Sequence, residues 1–406
     1  MRSGIRALVL LPLLAILAGS RSPSEIAGAP VGPTVVLIGL DGFHPSYLSR
    51  PASRHLRELG RQGVQAKWMT PVFPTLTFPN FYSIATGLYP EHHGIVSNTM
   101  ADSALGSFSL RDRRSIEDPR WWGGEPIWVT AVKQNHRAAT YFWPGSDVQI
   151  KRVRPTYYKL YDASVPNAAR VRQVLLWLSL PSAQAPSLVT LYFNDVDDAG
   201  HRFGPTAPET DSAIARVDSA IGALMNGLEQ RGLAGKVNLI VVSDHGMAEV
   251  APDHVINLEQ LIVTAAVSLV DQGSILSLSP KAGRGDEIIA RLRRSPHLRV
   301  YRKSDIPAAL HYRAHPRIQP IVAVVDEGWT ATARSRGPGP LGMHGYPPNL
   351  ASMRALFLAR GPAFARGAVV PPFQNIHVYN LVAHILGLTP SPNDGSLDSL
   401  TAVLSP

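Results

Sequence analysis

The chain has 406 residues, 45% of them hydrophobic and 17% charged, which excludes a largely disordered chain and leaves room for one large α/β domain or two to three small ones. It contains no cysteine, so disulfides, thiol nucleophiles and thiolate metal sites are excluded. The formal charge of +9 comes from scattered basic residues rather than a Lys/Arg block, and so implies a basic surface that attracts anions without specific nucleic-acid binding.

The first element is a leader. Arg2 and Arg6 precede ALVLLPLLAILAG, an apolar run too short to span a bilayer, and small residues follow near Ser20. Residues 1–20 therefore read as an export signal, and the mature chain as periplasmic or secreted, with no stable membrane insertion after cleavage. The two leader arginines taken from +9 leave +7 for the mature chain. Ser20 stands where a bacterial lipid anchor would need a cysteine. Residues 21–33 form a Pro/Gly-rich linker, and 34–406 read as a single domain with insertions at about 101–170 and 250–345.

TVVLIGL (34–40) follows the linker, a continuous apolar run of the kind that forms a buried parallel strand. Thr77 then heads the sequence TFPNFYSIATG, which predicts a helix with Pro79 in its first turn and Gly87 at its end. Thr77 sits at or next to the N-cap, where the helix dipole favours an anion; Thr75 shares the residue type without the position. Further apolar runs recur in AATYFW, SLVTLYFND, VNLIVVSDHG, PIVAVVDEG and ALFLARG. The segment 207–233 carries Ile214, Val217, Ile221 and Leu224 on one helical face. The fold class is α/β, a mainly parallel central sheet with helices on both faces and loop insertions forming the substrate pocket.

Ligands of open α/β sheets sit at the carboxyl ends of the strands. Asp41 ends the first strand, Asp197 and His201 follow SLVTLYFND, Asp244 and His245 follow VNLIVV, and His344 lies in a later loop. Carboxylate and imidazole without thiolate suit a catalytic divalent metal. Three Asp and three His supply two three-ligand sets, and two metals about 4 Å apart are a clamp for in-line attack at phosphorus. The adjacent pair His92–His93 points in two directions on either a helix or a strand and reads as structural.

LIGLDGF, PVFPTLTFPNFYSIATGLYPEHHGIVSN, WWGGEPIWVTA, DVDDAGHRFGP, VSDHGM and HGY occur in the order that resembles the nucleotide pyrophosphatase/phosphodiesterase family of the alkaline phosphatase superfamily. The similarity runs from about residue 34 to 396. It implies an alkaline-phosphatase-like fold and two Zn2+ per subunit. Asp197, His201 and His344 would hold one ion; Asp41, Asp244, His245 and the Thr77 oxygen would hold the other. Asn98 matches the donor that holds a phosphate oxygen, and Phe78 and Tyr161 match aromatics that sandwich a nucleobase. The implied activity is hydrolysis of phosphodiester or phosphoanhydride bonds through a phosphothreonine, releasing nucleoside 5′-monophosphates. The expected partner is a nucleotide or another small phosphodiester. Aromatics also cage choline, so a phospholipase C or choline-phosphodiester hydrolase of the same fold is the alternative, followed by a non-catalytic binding protein. No arginine is matched near Thr77 for the extra charge of a monoester. Pro347 and Pro348 stand where the family pattern has an Asp-Asn pair, so the surroundings of His344 are expected to differ.

Overall fold

The computed structural model describes Met1, residues 32–334 and residues 337–406. The leader and most of the linker expected from the sequence lie outside the described residues. No helix among the described residues is long and apolar enough to cross a membrane.

Eight strands form the central sheet: β1 (Thr34–Leu40), β2 (Val64–Ala66), β3 (Ala138–Tyr141), β4 (Tyr157–Lys159), β5 (Leu188–Phe193), β6 (Val237–Val242), β7 (Phe357–Arg360) and β8 (Ala368–Val370). Their spatial order is β8-β2-β7-β6-β1-β5-β3-β4. Every residue of β1, β5 and β6 is buried, which is why these strands read as unbroken apolar runs instead of alternating ones. β1 pairs in parallel with both β5 and β6, and β5 with β3. β7, the run ALFLARG, is antiparallel to β6 and to β2, so the sheet is mixed but mainly parallel, as the sequence suggested.

Helices cover both faces. One face carries α1 (Arg54–Gln62), α4 (Asn167–Leu178) and α6 (Pro208–Gln230); the other carries α2 (Thr77–Thr86), α3 (Ile127–Lys133) and α7 (Val378–Leu386), with α5 (Asp195–Phe203) at the strand ends. α6 buries Ile214, Val217, Ile221 and Leu224 as their spacing predicts. α2 ends at Gly87 in the left-handed conformation (φ 69°), which a residue with a Cβ adopts only at a cost.

The run PIVAVVDEG is a strand but not part of this sheet. Ile321–Val325 lies in a separate four-stranded antiparallel sheet with Val267–Asp271, Ile275–Pro280 and Leu298–Arg302. Its own apolar cluster includes Leu276, Leu278, Ile288, Leu292, Ala323 and Val325. The segment 250–345, read from sequence as an insertion, is therefore built on an ordered sheet. The alternation in SILSLSP was the signal for it.

His93 is buried, with its Nε2 2.9 Å from Ser83 Oγ, and its Nδ1 accepts the Ile95 amide at 3.1 Å. His92 pairs instead with Asp394 at 2.7 Å, so the two adjacent rings do point to different partners. Burial pushes the His93 pKa down from its ordinary 6.5 to about 3. The unfolded chain then binds a proton that the folded chain refuses, so stability is full above pH 6.5 and declines as pH falls towards 3. Thermal melts between pH 8 and pH 4 should show this decline in the wild type and a flatter one in His93→Gln. Parallel slopes in the two proteins would remove His93 as its source.

Candidate active site

The register of the sheet assembles the site. Leu40 lies opposite Phe193 and Gly39 opposite Val242, so β5, β1 and β6 finish level, side by side. The residues that follow them therefore emerge together. Asp41 follows β1, Asp197 and His201 lie on α5 after β5, and Asp244 and His245 follow β6. Gly42 turns the chain after Asp41 in the left-handed conformation (φ 65°), and its amide donates to Asp244 Oδ1 at 3.1 Å. A Cβ at Gly42 would come within 3.0 Å of the Asp197 backbone, so the turn has no room for a side chain.

Two groups of ligand atoms lie within 4.8 Å of one another: Asp197, His201 and His344, and Asp41, Asp197 and His245. Asp197 belongs to both, a sharing the sequence did not suggest. Asp244 adjoins the second group, its Oδ2 2.9 Å from His245 Nε2. The His245 and His344 rings stack 3.5 Å apart.

The protonation pattern of the three histidines is dictated by backbone carbonyls, which can only accept. His201 Nδ1 faces Gly342 O, His245 Nδ1 faces Gly246 O and His344 Nδ1 faces Thr75 O, each at 2.8 Å. Each ring therefore carries a hydrogen on Nδ1, and in its neutral form presents a bare Nε2, as metal-binding imidazoles do. His201 Nε2 and His344 Nε2 then face each other as two acceptors only 3.1 Å apart, and His245 Nε2 faces a carboxylate oxygen. Asp41 Oδ1, Asp197 Oδ1 and Asp244 Oδ2 are buried with no hydrogen-bond partner among the described residues. Opposed lone pairs and orphaned buried carboxylate oxygens are relieved by a cation, and this oxygen–nitrogen donor set fits divalent metals.

Without cations the electrostatics are unfavourable. Burial, reinforced by Asp244 and Asp197, pushes Asp41 well above the usual carboxylate range, and burial with Asp197 does the same to Asp244. Burial, then His245 and His201, pushes His344 well below the usual histidine range, which keeps it neutral and fit to ligate. Tyr192, missed by sequence reasoning, donates its hydroxyl to Asp41 Oδ2. Its signal was weak: one aromatic in an apolar strand, far in sequence from its partner.

Thr77 is the first residue of α2, and its Oγ1 lies 3.4 Å from His245 Nε2. Leu76 is the N-cap and its side chain makes no capping bond, while the Phe78 amide in the first turn is taken by Asn98 Oδ1, so the Thr77 hydroxyl is not spent on capping. Thr75 behaves as a structural residue: its hydroxyl donates to Tyr346 O at 2.8 Å and accepts from Gly345 N at 2.9 Å. This contact and the bond from Ser274 Oγ to His344 O hold the His344 loop, so Pro347 and Pro348 are not needed as side-chain partners there.

Asn98 Oδ1 accepts the Phe78 amide at 3.0 Å, which leaves its NH2 group as the free donor. Since Pro79 has no N–H, the helix amides contribute less to an anion site than the dipole argument implied. A cavity of about 360 Å³ links these groups, with Asp41, Thr77, Asn98, Asp197, His201 and His344 among its lining residues. Phe78 and Tyr161 also line it. Phe78 is wedged edge-on against Phe108 (6.1 Å) and tilted against Trp122 (5.9 Å), whereas Tyr161 is 45% exposed, edge-on to Phe142. Among the described residues Arg113 is the one cation lining the cavity, and it is paired with Asp147 and Glu117 at 2.7 Å each.

A mixed α/β sheet with Asp/His clusters and a threonine-headed helix at its strand ends defines a member of the alkaline-phosphatase-like class. Residues 35–347 match the Type I phosphodiesterase / nucleotide pyrophosphatase family, and the chain belongs to that family. It is 40% identical to venom phosphodiesterase CdcPDE of Crotalus durissus collilineatus, over 91% of this chain and 46% of that protein. It is 39% identical to ectonucleotide pyrophosphatase/phosphodiesterase family member 3 of Rattus norvegicus, over 92% of this chain and 44% of that protein. The chain thus spans less than half the length of these relatives. Among solved structures, an inactive variant of murine ectonucleotide pyrophosphatase/phosphodiesterase 5 in complex with AMP superposes with a TM-score of 0.89 at 38% identity, covering 92% of this chain and 100% of that one.

Proposed function

We propose that the protein is a metal-dependent phosphodiesterase and nucleotide pyrophosphatase that holds two zinc ions and releases nucleoside 5′-monophosphates. The observation that carries this reading is the shared cavity. Thr77 Oγ1 stands beside His245 Nε2 at one end, and Phe78 and Tyr161 line the same space. The murine relative solved in complex with AMP supports a nucleotide as the ligand. Names of relatives that include "venom" and "ecto" support an exported enzyme, periplasmic or secreted.

Asp197, His201 and His344 would hold one ion and Asp41, Asp244 and His245, with the Thr77 oxygen, the other. When bound, the ions supply charge neutralisation at phosphorus and lower the pKa of the Thr77 hydroxyl. Thr77 Oγ attacks phosphorus in line as the bond to the leaving oxygen breaks, forming a phosphothreonine. Water then attacks that phosphorus, releasing the monophosphate and restoring the hydroxyl. The Asn98 NH2 group donates to a non-bridging oxygen throughout. Arg113 is already neutralised by Asp147 and Glu117, which favours the single charge of a diester over a monoester.

The substrate test compares turnover of a p-nitrophenyl nucleotide ester with that of p-nitrophenyl phosphorylcholine. The nucleotide ester should be preferred. Tyr161→Ala should raise its KM about tenfold, since stacking on one aromatic is worth roughly 1–3 kcal/mol, with kcat within about threefold. Preference for the choline ester, unaffected by Tyr161→Ala, would replace this reading with the choline-phosphodiester one.

A further inference from the structure

The loop that delivers Asn98 is short, Gly94 to Asn98, and it is held largely by side chains from the segment that carries the second sheet. Arg317 Nη1 donates to Gly94 O at 2.8 Å, and the Tyr312 hydroxyl donates to Val96 O at 2.9 Å. The third handle is a carboxylate. Asp271, at the end of strand Val267–Asp271, accepts the Ser97 hydroxyl through Oδ2, while its Oδ1 accepts the Gln272 amide at 2.9 Å. Ser97 immediately precedes Asn98 and is itself buried. Nothing in the sequence marked Asp271 for this position, 174 residues from Ser97.

We propose that Asp271 is a positioning residue for phosphoryl transfer: through Ser97 it fixes the loop so that the Asn98 NH2 group is aimed at the phosphoryl oxygen. The proposal rests on the phosphate-binding role given to Asn98 above. The chain of contacts is continuous. Asp271 holds the Ser97 hydroxyl, Ser97 leads into Asn98, and Asn98 Oδ1 is pinned by the Phe78 amide beside Thr77. With its oxygen pinned at one end and its backbone at the other, the carboxamide has one direction left for its donor. Releasing the Ser97 end restores freedom to the backbone and so to the donor.

Stability alone does not account for the carboxylate. Burial pushes the Asp271 pKa up to about 6, and the other titratable group facing it is the buried Tyr312 phenol. A raised folded-state value means that the ionised carboxylate is a net cost to the fold above pH 6, relieved as pH falls towards its ordinary 3.8. An apolar side chain would avoid that cost but would leave the buried Ser97 hydroxyl without its acceptor. Displacing a group by about 1 Å can cost up to about 100-fold in rate.

The test is a mutant cycle on the zinc-loaded enzyme with a p-nitrophenyl nucleotide ester. Asn98→Ala should lower kcat by about 100-fold, the cost typical of removing one such donor. Asp271→Ala and Ser97→Ala should each lower kcat about tenfold or more with KM within about twofold, because the aromatic contacts to the base are untouched. Asp271→Asn keeps an acceptor for Ser97 and should stay within about threefold of wild type. Adding Asp271→Ala to Asn98→Ala should change nothing further, because the two act through one donor. Ser97→Ala removes a single hydroxyl and keeps the cycle readable if Asp271→Ala fails to fold. Full kcat in Ser97→Ala, or a loss that adds in the Asn98→Ala background, would overturn the positioning role while leaving Asn98 in place. Wild-type kcat in Asn98→Ala would instead remove the phosphate role itself, and the proposal with it.

Discussion

Thr77→Ala should lower kcat on a p-nitrophenyl nucleotide ester by at least about 10³-fold, because the atom that forms the covalent bond is gone. The fold should barely notice. The Phe78 amide at the head of α2 is held by Asn98 Oδ1 and not by Thr77, whose hydroxyl has one hydrogen-bonding contact among the described residues, 3.4 Å to His245 Nε2. The stability cost should therefore stay below about 1 kcal/mol, the range of ordinary substitutions outside a core or a cap. Metal content should also persist, since Asp41, Asp244 and His245 remain to hold the ion. Thr77→Ser restores the hydroxyl and should recover activity to within about tenfold of wild type. Thr75→Ala is the contrasting case. Its hydroxyl bonds Tyr346 O and Gly345 N in the loop that carries His344, so its loss should lower the melting temperature before it lowers chemistry. Turnover by Thr77→Ala at the wild-type rate, with metal content intact, would end the phosphothreonine mechanism.

The two threonines mark what was legible in the sequence. Residue type alone did not separate them, but the helix signal behind Thr77 did, because Pro79 and Gly87 bracket a segment whose start is a local property. The Asp and His residues at the strand ends were legible for a similar reason. A buried parallel strand is written as a continuous apolar run, and the first polar residue after it sits at the sheet edge where ligands bind. What escaped depended on contacts between distant segments. The sharing of Asp197 between two groups follows from the level ends of β5, β1 and β6, which is a matter of register. Tyr192 on Asp41, and Asp271 on Ser97, join segments 151 and 174 residues apart. PIVAVVDEG was assigned to the wrong sheet because an apolar run states burial without naming the partner strands. Phe78 and Tyr161 were found only through family resemblance; the structure places both on the cavity, one wedged among aromatics and one half open.

Chelation of the metal-loaded enzyme should abolish measurable turnover and lower the melting temperature by roughly 10 °C or more. The magnitude follows from linkage: each of two ions at a thousand times its Kd stabilises by about 4 kcal/mol, about 8 kcal/mol together, and 1 kcal/mol moves the melting temperature of a chain this long by a little over about 1 °C. The physical reason lies in the unpaired atoms. Asp41 Oδ1, Asp197 Oδ1 and Asp244 Oδ2 are buried with no hydrogen-bond partners among the described residues, and His201 Nε2 faces His344 Nε2 at 3.1 Å. Removing the cations leaves those charges and lone pairs to repel one another in a place water reaches poorly. Single substitutions should then divide the site unequally. Asp197 Oδ1 lies 3.5 Å from the Nε2 atoms of both His201 and His344 and also belongs to the group with Asp41 and His245. Asp197→Ala should therefore strip more metal than Asp244→Ala, which adjoins the second group alone, and metal analysis of the two purified variants reads the difference directly. Equal losses would mean that the ions are held independently. Full metal content and full activity in Asp197→Ala would mean that the strand-end carboxylates are not the metal site at all.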